Sequence, residues 1–341
     1  MADHGKKVCL KDIAEKVGVS TALVSYVLNN KKEGRISKDV AEKIREAARL
    51  MNYRPNQIAK SLKTNRTDTI GMIVADISNP YFSSLARIIE DEADKRNYTV
   101  IIGSSDENPE KFAKLIETFT GRNVDGLLIA ATAGTEDQLR QLQEQKVPFV
   151  LVDRYFPGLT SNYVGLDNYN ASWKAVQHLA EKGRQRIGLI TYESQLFHIN
   201  ERKRGFLEAC KYFGISARRH MIRQVGIKSY SAEIIAATKE LLSADPAPDA
   251  LLFASNRIAE HAVKYINTLS LKVPDQLALV SFDETECLDL FYAPLTYLRQ
   301  PLKEMGKEAT RILLDGLDSS VRVTQVNMEA ELVVRQSTGT T

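Results

Sequence analysis

Cysteine is scarce and scattered: Cys9, Cys210 and Cys287 are the only three among 341 residues, and no two form a C-x-x-C pair. That speaks against a disulfide framework or a thiolate zinc site and for reduced thiols. No apolar run approaches the ~20 residues a membrane helix needs. The opening MADHGKKVCLKD also lacks an apolar stretch of signal-peptide length. The expectation is a cytoplasmic chain without membrane contact. Also missing are a G-x-S-x-G elbow, a G-x-x-x-x-G-K phosphate loop, a G-x-G-x-x-G fingerprint and a His/acid pairing suited to catalysis. An α/β enzyme is therefore disfavoured, with no catalytic residue, cofactor or metal implied. His178 and His198 stand too far apart for an evident metal site; His178 reads as structural, and His198 could line a cleft. The tail after Arg335, QSTGTT, has no leucine heptad, which argues against a tetramer built through it.

What is present is uneven in charge. Residues 1–66 hold 15 Lys/Arg against 7 Asp/Glu, a balance of +8, while the remaining 275 hold 31 against 36, or −5. A basic head on a mildly acidic body fits contact with a polyanion, although a solvated lysine-rich terminus has the same composition. The length allows two or three domains, and 43% hydrophobic with 26% charged residues is ordinary for a globular chain.

The head carries helical periodicity: Ile13 with Val17, Val24 with Leu28, then Val40, Ile44 and Ala48. Ser20 and Ser37 stand as N-caps, and Gly18 can take the left-handed turn between the first two helices. The pattern predicts a three-helix unit over residues 8–53. Two helices around a tight turn, the second opening on small polar residues, fit a helix-turn-helix, or else an ordinary helical hairpin. In the first case the second helix enters the DNA major groove. Thr21, Ala22, Ser25 and Tyr26 then reach base edges, and Asn29 and nearby lysines meet phosphate. The polar, basic NYRPNQIAKSLKTNRTDT follows; Pro55 could open a short helix to about Lys63 that needs a partner to form.

From Thr69 the pattern alternates. TIGMIVA, YTVIIG, DGLLIA and PFVLV, and later RIGLI, DALLFA and LALVSF, are short apolar runs with amphipathic stretches between, such as Leu85, Ile88, Ile89 and Ala93. Such runs predict parallel sheets covered on both faces, in two α/β lobes of similar build that face a cleft.

LKDIAEKVGVSTALVSYVLN, NYRPNQIAKSLK, IGMIVADISNPYFSSL, VDGLLI, VLVDR, VGLDN, HLAEKGRQRIGLI, ERKRGF, VPDQLALVSFDE and PLTYLRQP, in this order, resemble the lactose/galactose repressor family of bacterial transcriptional regulators. The resemblance implies an α/β fold: an all-α helix-turn-helix headpiece on a two-lobed, periplasmic-binding-protein-like core with parallel sheets. It implies a homodimer that reads double-stranded palindromic operator DNA and answers to a small-molecule effector, as a repressor in carbohydrate metabolism. The corresponding division is 1–54 DNA-binding domain, 55–68 hinge helix and linker, and 69–166 first lobe with about 298–325 returning to it. The second lobe is 167–297 with about 326–336. A solute-binding protein for transport would fit the core alone, and the basic head argues against it.

The resemblance also assigns residues. Leu62 matches the hinge leucine that wedges between base pairs in the minor groove, or packs the dimer, with Asn56, Ala59 and Lys63 along the same groove. Residues 29–37 run about two longer than in relatives, offering additional phosphate contacts. Tyr81, Phe82, Asp153, Arg202 and Asp283 match cleft positions for a sugar or nucleobase, with ion pairing as the other reading of Arg202 and core packing that of the aromatics. Asn256 and Arg257 stand where relatives often carry Asn-Asp. With Arg154, that change points to an anionic effector, unless either arginine faces solvent.

Overall fold

The computed structural model describes residues 8–29, 35–53, 66–215, 221–228, 231–317 and 322–339. The chain divides into two compact units, Met1–Thr67 and Asp68–Thr341.

In the first unit, α1 (Leu10–Val17), α2 (Thr21–Leu28) and α3 (Lys38–Leu50) enclose a small core of Ile13, Val24, Val27 and Ile44. Each start is capped. The Cys9 N–H donates to Asp12, Ser20 Oγ accepts from the Leu23 N–H, and Ser37 Oγ accepts from the Val40 N–H. Gly18 ends α1 at φ 74°, in the left-handed region, and its N–H and that of Val19 both donate to the Ala14 carbonyl.

The second unit is doubly wound twice. Its first sheet comprises β1 (Thr69–Val74), β2 (Thr99–Ser104), β3 (Gly126–Ile129), β4 (Phe149–Asp153), β5 (Asn162–Leu166) and β11 (Gln325–Met328). These lie in the order β11-β5-β4-β3-β1-β2, with every pairing parallel. The second comprises β6 (Ile187–Glu193), β7 (Ile222–Gly226), β8 (Ala250–Phe253), β9 (Ala278–Phe282), β10 (Thr296–Arg299) and β12 (Glu331–Val333). Its order is β12-β10-β9-β8-β6-β7, with only β12 antiparallel. The central strands are buried from end to end, which explains their unbroken apolar runs.

Helices cover both faces: α4 (Pro80–Asp94), α5 (Pro109–Gly121), α6 (Glu136–Glu144) and α11 (Leu302–Gly316) in the first lobe, and α7 (Asn168–Glu181), α8 (Phe197–Tyr212), α9 (Ser231–Leu242) and α10 (Asn256–Ile266) in the second. Asn79, Asn108, Asp167 and Ser255 cap α4, α5, α7 and α10 through their side chains, and Pro80 and Pro109 hold the first helical positions.

The chain passes between lobes after β5, after β10 and after β11. Two passages come slightly later than the approximate boundaries the resemblance implies. Leu298 still pairs with Phe282 in the second sheet, and Val326–Met328 pair with Val164–Leu166 in the first. Each strand completes its parallel ladder before leaving, which shifts the boundaries from 297/298 and 325/326 by a few residues.

Candidate functional site

On α2, Val24 and Val27 face the small core, whereas Thr21, Ala22 and Asn29 are exposed and Ser25 and Tyr26 half-buried. The Asn29 amide donates to the Ser25 carbonyl at 2.7 Å and so caps the helix end. Asn56, Ala59, Leu62 and Lys63, with most of the 29–37 loop, lie outside the described residues.

Both lobes have the strand order 2-1-3-4-5, in which ligand sites form beyond the carboxyl ends of the strands. There a cleft of about 430 Å³ opens between them. Its lining includes Tyr81, Phe82, Asp153, Arg154, His198, Arg202 and Asp283, seven of the eight residues the sequence pointed to.

Asp153 and Asp283 occupy equivalent places at the ends of β4 and β9, and both are held at left-handed φ, 67° and 70°. Such backbone is costly outside glycine, on the order of 1–3 kcal/mol, and it clusters at functional sites. The two neighbouring residues Asp106 and Glu107, in the loop after β2, are left-handed as well.

The polar groups form a connected floor. The Tyr81 hydroxyl lies 2.9 Å from Asp153 Oδ1 and 3.2 Å from Gln300 Oε1, and its one proton serves one of them at a time. Gln300 Nε2 donates to Asp283 Oδ1 at 2.6 Å. Arg202 donates through Nε to Asn168 Oδ1 at 2.7 Å and through Nη1 to the Ala254 carbonyl at 2.6 Å, while its guanidinium lies 4.0 Å over the Phe282 ring. Burial, with Asp153 alongside, pushes the Tyr81 hydroxyl well above the ordinary tyrosine pKa. Burial also raises the Asp153 carboxyl, against the pull of Arg154 and Arg202. His198 is driven well below the ordinary histidine value by burial first, then by the same two arginines, so it stands as a neutral imidazole.

Two expectations change. Arg154 makes a bidentate ion pair with Glu107 at 2.7 and 2.8 Å; burial opposes its charge, and Glu107 outweighs burial and raises its pKa. Arg257 is paired with Asp76 Oδ2 at 2.7 Å. Both arginines that pointed to an anionic effector are thus neutralised by acids of this chain. Asn256 does not line the cleft: it is fully buried, and its Nδ2 donates to Asn79 Oδ1 of the other lobe at 2.9 Å. Among the described residues, Arg202 and Asp283 enter no ion pair, though 4% and 7% exposed. With the exposed Lys228 at the rim, which also enters no ion pair among the described residues, they are charged groups free to meet a charge or a dipole in the cleft.

Sequence reasoning missed Glu107, Gln300, Tyr192, Ser255 and Asp76, all in the lining. A search for polar residues one to three positions beyond each apolar strand run would have found most of them. His178, read as structural, hydrogen-bonds Thr338 at 2.9 Å, and Thr338 in turn contacts Thr296. Among the described residues no cluster of His, Cys, Asp or Glu could hold a metal, and no helix is long and apolar enough to cross a membrane.

Comparison with known proteins adds to this geometry. Residues 9–56 match the family described as bacterial regulatory proteins, lacI family, and residues 176–338 match the periplasmic binding protein-like domain. The chain is 31% identical to the HTH-type transcriptional regulator DegA of Bacillus subtilis over 336 residues, covering 97% of this chain and 98% of DegA. It is 30% identical to the ribose operon repressor of Halalkalibacterium halodurans over 332 residues, 96% of each. The crystal structure of the lac repressor dimer bound to operator and the anti-inducer ONPF superposes with a TM-score of 0.88 at 22% identity, covering 98% of this chain and all of that one.

Proposed function

Because the chain belongs to the lacI family of bacterial regulatory proteins, and is thus a DNA-binding transcriptional regulator rather than an enzyme, we propose that it represses carbohydrate genes under the control of a sugar-like effector. A homodimer would present two copies of α2 to the half-sites of a palindromic operator in the cytoplasm. Thr21, Ala22, Ser25 and Tyr26 would meet base edges, and Asn29 would meet phosphate once its amide leaves the Ser25 carbonyl. Asn56, Ala59, Leu62 and Lys63 would follow the central minor groove.

The observation that carries the effector assignment is the pairing pattern of the cleft. Arg154 and Arg257 are engaged by Glu107 and Asp76, while Arg202 and Asp283, one donor and one acceptor, stay out of every described ion pair. An uncharged polyol suits that set: its hydroxyls donate to Asp153 and Asp283 and accept from Arg202, and a ring face can lie on Phe82. An anion would find Arg154 and Arg257 already paired and would bring its charge up against Asp153 and Asp283 beside Arg202. The role of the aspartates and Arg202 as hydroxyl partners, and of Tyr81 and His198 as neutral supports, follows from this reading.

The test is a thermal-shift screen of the purified protein against neutral sugars, sugar phosphates and nucleobases, since a ligand selective for the folded state raises the midpoint. Stabilisation by a neutral sugar, together with a changed affinity for operator fragments, is the expected result. Stabilisation only by sugar phosphates would overturn the reading of the cleft.

A further inference from the structure

Asp76 leaves β1 just before α4, and Arg257 is the second residue of α10, so their ion pair ties one lobe to the other at the cleft. The tie has more than one strand. The Arg257 guanidinium also donates to Ser78 Oγ, and Ser78 Oγ donates to Asp76 Oδ1 at 2.7 Å. Beside them, Asn256 Nδ2 donates to Asn79 Oδ1 at 2.9 Å. Asn79 is the N-cap of α4 and Asn256 the first residue of α10, so this bond joins two helix N-termini, end to end.

That arrangement decides which charge matters most. Each helix N-terminus carries about half a positive charge, so two of them meeting across a cleft repel. Arg257 adds a full positive charge to the same place. Asp76 is the group that makes the junction attractive, because its carboxylate offsets the guanidinium and both helix ends together. Without Arg257 the carboxylate still faces two positive ends. Without the Asp76 charge, three positive groups are left against one another.

We infer that Asp76 and Arg257 form a latch that holds the core closed before any effector arrives, with Asp76 as its dominant member. The regulatory meaning rests on reading the cleft as the effector site; the latch itself is testable with no ligand present. An effector entering a latched cleft does not supply the closure. It must instead wait for the latch to open, and the ratio of latched to open chains sets how much operator affinity an effector can change. Salt weakens the latch, since both partners are about one-third exposed, 27% for Arg257 and 33% for Asp76.

His198 supplies a native reporter. It lines the cleft, is 5% exposed and is held neutral, the form that diethyl pyrocarbonate attacks. The full-length protein, without ligand, is treated with the reagent, and the modification rates of His198 and His178 are followed by mass spectrometry. Their ratio cancels general unfolding, because His178 is tied to Thr338 within the second lobe. Loss of a hydrogen-bonded charge predicts about a tenfold rise in the ratio for Asp76→Asn. Arg257→Gln should give a smaller rise, about threefold, and added salt, at about 0.5 M, should raise the wild-type ratio. An unchanged ratio in Asp76→Asn overturns the latch. A rise in Arg257→Gln that equals or exceeds that of Asp76→Asn overturns the assignment of Asp76 as its dominant member. Neither outcome bears on whether the cleft takes a sugar.

Discussion

Gly205 lies in α8 where α7 passes close by, and an added Cβ would stand 2.2 Å from the Tyr169 carbonyl oxygen and 2.9 Å from its carbon. These are backbone atoms, so no side-chain rotation relieves the contact. Because real Cβ contacts are essentially never under 3.0 Å, Gly205→Ala must part the helices by 0.8 Å or more, the difference between 3.0 and 2.2. Overpacking of this kind costs about 1–3 kcal/mol, and the better helix propensity of alanine returns about 0.5–1. A net loss of about 1–2 kcal/mol follows, or roughly 2–4 °C in the midpoint of a core this size. The functional effect should exceed the stability effect. Helix α8 carries Arg202, and α7 carries Asn168, whose Oδ1 holds Arg202 Nε at 2.7 Å; parting the helices breaks that bond and misplaces the guanidinium. Thermal unfolding and effector calorimetry are the assays, with Gly121→Ala as control, since nothing lies within 4 Å of its added Cβ. If Gly205→Ala proves as stable as Gly121→Ala and binds effector normally, the close-packing account of α7 and α8 is wrong.

Asp283→Ala and Arg202→Ala should each weaken effector binding about tenfold to a hundredfold, the cost of losing a hydrogen bond between a charged group and a ligand hydroxyl, while operator binding without effector persists; near-normal calorimetric affinity would return both residues to structural roles. Gly18→Ala forces alanine into the left-handed turn at φ 74° and should destabilise the headpiece by about 1 kcal/mol, lowering operator affinity with no change in effector affinity. His178, His198 and His261 are all held below the ordinary value of 6.5, by burial first. They stay neutral in the folded chain while the unfolded chain takes up protons, so stability should fall as pH drops from about 7 toward 5; His198→Gln should flatten that slope, as denaturant titration across the range would show. Operator binding should fall steeply with salt, with a slope near −0.9 per phosphate neutralised; a flat salt dependence in filter binding would contradict the role given to the basic head.

The headpiece and the strands were legible because their signals are local. Ser20, Gly18 and Ser37 act on residues within four positions, and β3, β4, β8 and β9 are buried throughout, so each reads as an apolar run. The aspartates ending β4 and β9 were findable for the same reason. What the chain hid was the pairing of its charges. Arg154 meets Glu107 across 47 positions and Arg257 meets Asp76 across 181, and neither arginine betrays its partner from its own neighbourhood. Asn256 looked like a ligand group because it stands where relatives often carry the Asn of an Asn-Asp pair, yet the helix facing it across the lobes takes its amide. Left-handed Glu107 was equally silent, since nothing in its side chain asks for that backbone.

The three passages between lobes follow β5, β10 and β11, and these strands lie toward one side of the sheets: β11 and β5 are neighbours in the first, β12 and β10 in the second. Two bodies fastened at several points along one side cannot slide past each other or turn freely; what remains is swinging about that side, as a lid swings on its knuckles. Leverage then favours the far edge, where a small rotation at the passages becomes a larger displacement of any group remote from them. A regulator jointed this way converts an event anywhere along its jaw into one motion, the same in direction whichever molecule triggers it. Ligands of different shape would therefore differ in how far they drive that swing, and not in the path it takes.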